Sequence, residues 1–338
     1  SSVPSRMAQR INALGSQNLS VSTCRVEEPY YSGVRDQLEK FEYQGEDERK
    51  LHCDALLERT LRWSAGSSAS GRVLADWPIL EKSKLRDYPG RYQHSNFLVI
   101  PASTGGSTGV PIRVVRSLLN VAAEQAFIDH ILLVTGKNFR TARIAILRGD
   151  NFKPPSDQNP PFGKVVYGGR RLILSPQHLN PETIAWYVGA LSDFAPDILW
   201  IRPSIGEYFA KTLIEKGLFL KIPTILSSSE VLGNAARVFI RQCFASRIID
   251  FYGQAERVSF AYSQSEDEYF FHPAYGHVEF LPHSEETNNG SATADIIGTG
   301  YWNEAMPLVR YRTGDRVIYP AKYTKRDLAL VSVRPERS

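Results

Sequence analysis

The chain has 338 residues, 42% of them hydrophobic and 22% charged, with a formal net charge of +4. A chain of this size can bury roughly three quarters of its unfolded surface, so disorder, collagen and a disulfide scaffold are excluded. The mild basicity is spread along the sequence; it accommodates an anionic substrate without marking a nucleic-acid partner. Cys24, Cys53 and Cys243 are odd in number and scattered, which reads as free thiols in a reducing cytosol with no zinc spacing among them. Phe127 to Val134 is among the longest apolar stretches yet carries Asp129 and His130, and nothing reaches the ~20 apolar residues of a bilayer span. No basic segment followed by an apolar run opens the chain, so a cytoplasmic location is expected, with no membrane partner.

In chain order, residues 1–95 read as a helical, polar N-terminal region. Arg35 to Leu61 is charged with apolar residues at helical spacing, and Trp77-Pro78-Ile79-Leu80 breaks that pattern. From residue 96 to 260 short β-branched runs alternate with amphipathic helices. Phe97–Ile100 and Ile112–Val115 are strand candidates, and Leu119 to Val134 has a helical period. Ile144–Leu147 and Leu172–Leu174 read as buried strands, with a surface loop rich in Pro, Asn and Asp between them. Asn180-Pro181 opens a helix to about Leu191, and Ile198–Ile201 is a further strand. Ser204-Ile205-Gly206-Glu207 has the capping-box form, and Ser227-Ser228-Ser229-Glu230 repeats it. Ile248–Phe251 is a strand that leads into Tyr252-Gly253. Such alternation predicts an α/β fold with a mostly parallel sheet flanked by helices. Residues 261–338 read as a smaller β-rich subdomain of short strands and turns.

Ser103 to Pro111 is dense in glycine and hydroxyl groups, which suits a loop wrapped around phosphate oxygens. A Walker A lysine is absent. Gly105-Gly106-Ser107-Thr108-Gly109 literally matches a hydrolase nucleophile elbow. That elbow needs a helix after the serine, whereas Pro111 and a strand follow here. A plain turn would leave the hydroxyls without a purpose.

Thr104-Gly105-Gly106-Ser107-Thr108-Gly109-Val110-Pro111 resembles the phosphate loop of the acyl-adenylate-forming superfamily, with Gly105 standing where serine is usual. Tyr252-Gly253-Gln254-Ala255-Glu256 resembles its Tyr-Gly-x-Thr-Glu motif, with Ala255 replacing Thr or Ser. The string from Asn303 to Asp315, ending Arg310-Tyr311-Arg312-Thr313-Gly314-Asp315, resembles the phenylacetate-CoA ligase branch and its capsular-polysaccharide-associated relatives. Ser228-Ser229-Glu230 sits where that branch carries a small residue followed by Glu.

The resemblance implies roles. Thr104, Ser107 and Thr108, with the backbone of Gly105, Gly106 and Gly109, would hold the β- and γ-phosphates of ATP. Tyr252 and Gly253 would pack on adenine, Asp315 would accept the ribose hydroxyls, and Glu256 would ligate Mg²⁺. Arg310 and Arg312, spaced to share one face of a strand, would meet the α-phosphate. Ser229 and Glu230 would lie near adenine or the acyl pocket, unless Glu230 merely completes a cap with Ser227. The acyl pocket is expected near Phe127, His130, Trp200 and Ser204, although Phe127 equally reads as core.

The implied chemistry is attack of a carboxylate on ATP, release of pyrophosphate, and transfer from acyl-AMP to a thiol. The acceptor would be coenzyme A or a pantetheine-bearing carrier protein. Only 23 residues follow Asp315, so the small lid domain with its lysine is expected to be absent and adenylation slow. Some relatives hold zinc between the last two motifs; here that stretch lacks cysteine, and no zinc is expected from His272 and His277. Two rivals stay open: a hydrolase on Ser107 served by His272, His277 or His283, and a non-catalytic partner protein.

Overall fold

A computed structural model describes residues 28–65, 73–94, 96–103, 111–149, 153–263, 269–286, 291–320 and 334–336. Two helices come first, α1 (Glu28–Tyr43) and α2 (Glu46–Ala65), where the sequence suggested one continuous segment from Arg35 to Leu61. The break falls at Gln44-Gly45. Glu48 Oε2 accepts the Gly45 N–H at 3.1 Å, and three acidic residues fill the first turn of α2, the charge that a helix N-terminus favours. A short helix α3 (Lys82–Asp87) follows.

The strands β1 (Val99–Ser103) and β2 (Arg113–Ser117) form an antiparallel hairpin, and α4 (Leu118–Leu132) leaves directly from β2. Ser117 caps α4 by accepting the Asn120 N–H at 3.1 Å. The stretch Leu118–Thr135 is long and apolar enough to cross a membrane by composition, which sequence reading passed over. In the fold it is the core helix: Ala123, Ala126, Phe127 and Leu132 are fully buried.

The strands β3 (Ile144–Leu147), β4 (Gly163–Val166), β5 (Arg171–Leu174), β6 (Ile198–Ile201), β7 (Thr224–Ser228), β8 (Arg247–Gly253), β9 (Phe260–Ser263) and β10 (Phe270–Phe271) build one sheet. Its order is β10-β9-β8-β7-β6-β3-β5-β4. The strands from β5 through β3, β6 and β7 to β8 run parallel; β4, β9 and β10 close the edges antiparallel. The expected mostly parallel α/β sheet is therefore present.

Side chains alternate across a strand, and this sheet buries both faces. Ile144, Ile146, Ile198, Trp200, Leu226 and Phe251 face α1 and α4. Ala145, Leu147, Leu199, Ile201, Ile225 and Ile248 face α5 (Ile184–Phe194), α6 (Pro203–Glu215) and α7 (Asn234–Phe244). Neither predicted capping box forms. Helix α6 opens on Pro203, whose fixed φ suits the first turn, and Glu230 rather than Glu207 accepts the Ser204 N–H, at 2.9 Å. After β7 the chain does not turn helical at Ser227; Ser229 takes φ +79° and α7 begins only at Asn234.

The strands β11 (Gly276–Glu286), β12 (Ser291–Gly300), β13 (Tyr311–Pro320) and β14 (Arg334–Glu336) form a separate antiparallel sheet. The first three are eleven, ten and ten residues long, not the short strands expected. Early and late chain meet here. Leu80 N–H donates to Arg310 O at 2.9 Å, and Arg312 N–H donates to Leu80 O at 3.0 Å. Cys53 and Cys243 are free and partly buried; burial pushes the Cys53 thiol up to about 11.

Candidate nucleotide and acyl site

The carboxyl ends of β3, β6, β7 and β8 lie side by side, the place where open α/β sheets bind ligands. Tyr252 and Gly253 end β8, and after the turn Gln254-Ala255-Glu256 the chain passes over the small sheet at Arg257-Val258 before returning as β9. There Tyr252 hydroxyl donates to Asp315 Oδ2 at 2.7 Å, across 63 residues of sequence. Gln254 Nε2 donates to the Tyr252 hydroxyl at 3.0 Å. Tyr311 hydroxyl donates to Glu256 Oε1 at 2.5 Å, and burial followed by the Glu256 charge raises the Tyr311 phenol. The structure thus brings Tyr252, Gly253, Glu256 and Asp315 into one cluster. Thr104, Gly105, Gly106, Ser107, Thr108 and Gly109 lie outside the described residues.

Asp315 is aimed by its own turn. Gly314 has φ +78°, a region where side chains are strained, and Thr313 Oγ1 accepts the Asp315 N–H at 3.1 Å. Lys82 crowds this turn: a Cβ on Gly314 would stand 2.8 Å from Lys82 Nζ.

Arg310 and Arg312 depart from the expected shared face. Strand β13 starts only at Tyr311, and Arg310 has φ +49°, which breaks the alternation. Arg310 makes a bidentate pair with Glu279, both contacts at 2.9 Å, and donates to Trp77 O at 2.7 Å. Arg312 is held by Glu81 at 3.1 Å and Asp295 at 2.5 Å. Both guanidiniums are therefore engaged by carboxylates, and through Trp77 O and Glu81 they tie the N-terminal region to the small sheet. Arg310→Ala is expected to cost about 2 kcal/mol in urea unfolding, because it strands a half-buried carboxylate. Arg310→Lys should recover only part, since an ammonium cannot match the fork.

A cation that sequence reading missed stands closer to Glu256. Arg116, near the end of β2, donates to Ala255 O from Nη2 at 2.8 Å. Burial, then Arg257, brings its guanidinium down to about 9, with Glu124 opposing. Arg257 in turn donates to Asn120 O at 3.1 Å. The hairpin that flanks the glycine-rich segment is thereby fastened to the Tyr-Gly turn.

The predicted acyl residues divide into two groups. Phe127 is fully buried, with the rings of His272 at 4.8 Å and Tyr275 at 4.9 Å set edge-on. It is a core residue. His130 Nε2 lies 3.1 Å from Glu42 Oε1, and its ring meets His272 at 5.3 Å. Trp200 Nε1 donates to Ser228 Oγ at 3.0 Å, and Arg148 stacks over its ring at 4.2 Å. Arg148 Nη2 also donates to Ser229 Oγ at 2.7 Å. Trp200, Ser204, Ser229 and Glu230 are thus neighbours at the ends of β6 and β7.

Glu42, His130 and His272 bring three potential metal-ligand atoms within 4.8 Å of one another, a set too dispersed in sequence to be noticed. His272 Nδ1 accepts the Ala274 N–H at 3.3 Å, so hydrogen bonds within and beside the set already engage its members. His283 pairs with Asp295 at 2.7 Å.

No family model matches the chain. Over 238 residues it is 22% identical to Protein CapK of Staphylococcus aureus, a match covering 69% of this chain and 51% of that protein. The chain spans about half the length of this curated relative. Among solved structures it is similar to a 2-hydroxyisobutyryl-CoA ligase in the postadenylation state in complex with R3-HIB-AMP. That likeness has a TM-score of 0.51 and 12% identity, and covers 93% of this chain and 67% of the other. The same ligase in complex with 2-HIB-AMP gives a TM-score of 0.50 at 12% identity, with 93% and 67% covered. At such identity these likenesses speak for the fold.

Proposed function

We propose that this chain, similar in sequence to CapK and in fold to a 2-hydroxyisobutyryl-CoA ligase, is an acyl-adenylate-forming enzyme that activates a carboxylic acid with ATP. The observation that carries the reading is the Tyr252–Asp315 hydrogen bond. It joins two motifs distant in sequence at the carboxyl edge of a parallel sheet. Asp315 would take the ribose hydroxyls and Tyr252, with Gly253, would border the purine. Ser229 and Glu230 would close the same edge. The segment from Thr104 to Gly109 would receive the outer phosphates.

A substrate carboxylate oxygen would form a bond to the α-phosphorus as the bond to pyrophosphate breaks, giving acyl-AMP. The sulfur of a thiol, that of coenzyme A or of a pantetheine arm on a carrier protein, would then bond to the acyl carbon as its bond to AMP breaks and AMP leaves. The protein's part is positioning and charge neutralisation. Glu256 fits Mg²⁺ as a hard oxygen donor: among the described residues, Tyr311 supplies the one hydrogen bond to its carboxylate. When bound, the ion would balance phosphate charge, with the half-buried Arg116 and the buried Arg257 nearby. Arg310 and Arg312 would act through the framework that holds Asp315.

Calorimetric titration with ATP and Mg²⁺ tests the first half of the reading. The wild-type chain should bind, and Asp315→Ala should weaken binding at least tenfold by removing the ribose acceptor and the Tyr252 partner. Pyrophosphate exchange across a panel of carboxylic acids tests the second half. Absence of nucleotide binding would sink the proposal.

A further inference from the structure

The ends of β3 and β6 carry a pair of cations that the adenylation chemistry leaves unused. In the parallel register Leu147 pairs with Ile201, so the next residues, Arg148 and Arg202, leave the sheet side by side. The following register step, Ile201 with Ser227, puts Ser228 next to Arg202. Arg148 is accounted for: it stacks on Trp200 and donates to Ser229. Arg202 is not. Its guanidinium lies against Gly149, where a Cβ would stand 3.1 Å from Nη2, and its buried Nε has no hydrogen-bond partner among the described residues. Among the described residues no carboxylate pairs with it, and Glu230 is turned to the Ser204 N–H instead.

Two guanidiniums at neighbouring strand ends repel each other, and a buried donor left unmade costs free energy. Such an arrangement is favourable once an oxyanion enters, because the guanidinium fork matches a carboxylate with two parallel hydrogen bonds. The position decides which anion. Arg202 is two residues beyond Trp200, just past the end of β6 and beside Ser228, where the family resemblance puts the acid.

Resting on that adenylation reading, we infer that the acid activated here carries a second anionic group, and that Arg202, backed by Arg148, receives it. The class is a dicarboxylic or comparably dianionic acid, held by one anionic end while the other reacts.

The test is calorimetry on wild-type chain, Arg202→Gln and Arg202→Lys, with and without ATP and Mg²⁺. The probes are adipate against hexanoate, and terephthalate against benzoate. Wild type should bind the diacid at least tenfold more tightly in one pair; Arg202→Gln should abolish the preference and Arg202→Lys should keep part of it. Arg202→Gln without acid should melt no lower than wild type, which a purely structural arginine would not allow. Three results would overturn the inference: no tenfold preference in either pair, a preference surviving Arg202→Gln, or a variant that instead narrows the difference in affinity between coenzyme A and dephospho-coenzyme A. Failure of ATP to bind the same samples would reject the adenylation reading alone, since the diacid preference is also read without nucleotide.

Discussion

Gly276→Ala is expected to destabilise the chain by about 3 kcal/mol, the upper range for forcing an extra methyl into packed structure. Gly276 and Gly300 are register partners on β11 and β12, and Gly298 lies beside them. Gly276 and Gly300 face the backbone of Arg257-Val258 as it crosses the small sheet, and Gly298 faces the Val258 side chain. A Cβ on Gly276 would press on Val258 O and stand 2.8 Å from Thr299 O; one on Gly300 would stand 2.6 Å from Arg257 O. These obstacles are main chain and cannot swing aside. The strain would be released by lifting the crossing segment, and Glu256 precedes it directly. Gly276→Ala should therefore lower the urea midpoint and weaken binding of ATP and Mg²⁺ together. Gly189→Ala, in α5 with nothing within 4 Å, is the control, expected to be neutral or stabilising by up to about 1 kcal/mol. A Gly276→Ala chain as stable as that control would refute the account.

Acidification from pH 7 to pH 5 is expected to remove about 2 kcal/mol of stability through His272 alone. Burial, then His130 and Arg49, brings this imidazole down from 6.5 to about 3 in the folded chain. Between pH 6.5 and about 3 the unfolded chain binds a proton that the folded chain refuses, so stability falls as the pH falls. His277, lowered chiefly by burial, acts in the same direction. Asp129, raised by burial, has the opposite sign and offsets part of the loss as it takes up its proton. Urea unfolding at the two pH values should show His272→Gln losing clearly less than wild type. Parallel losses would show that the imidazole is not held neutral.

What could be read from the sequence follows the range of each interaction. Ile144–Leu147 and Ile198–Ile201 are apolar at every position because both sheet faces are covered, and both strands were found at their observed limits. Helix ends were harder. Helices α5 and α7 close on Ala195 and Ala245 with positive φ, where glycine is the usual sign. The strings around Tyr252 and Asp315 were legible through their resemblance to a family, and each predicts the other's presence. No local pattern announces that Glu279 will take Arg310, or that three glycines form a seat for Arg257-Val258. Arg148 and Arg202 did have a signal. Each directly follows a buried apolar run, at the strand end where open sheets place their ligands.

The meeting of Leu80 with β13 has a bearing on how the chain comes to be made. Arg312 grips Glu81 across 231 residues, and Arg59 reaches Tyr301 O across 242. At ordinary synthesis rates of about 5–20 residues per second, Arg59 and Glu81 wait on the order of ten seconds or more for those partners. Until then Leu80 and Leu85 can gather Ile112 and Val114 around them but lack Met306, Leu308 and Tyr311. A seam between these early elements and the small sheet thus stays open until β13 is made.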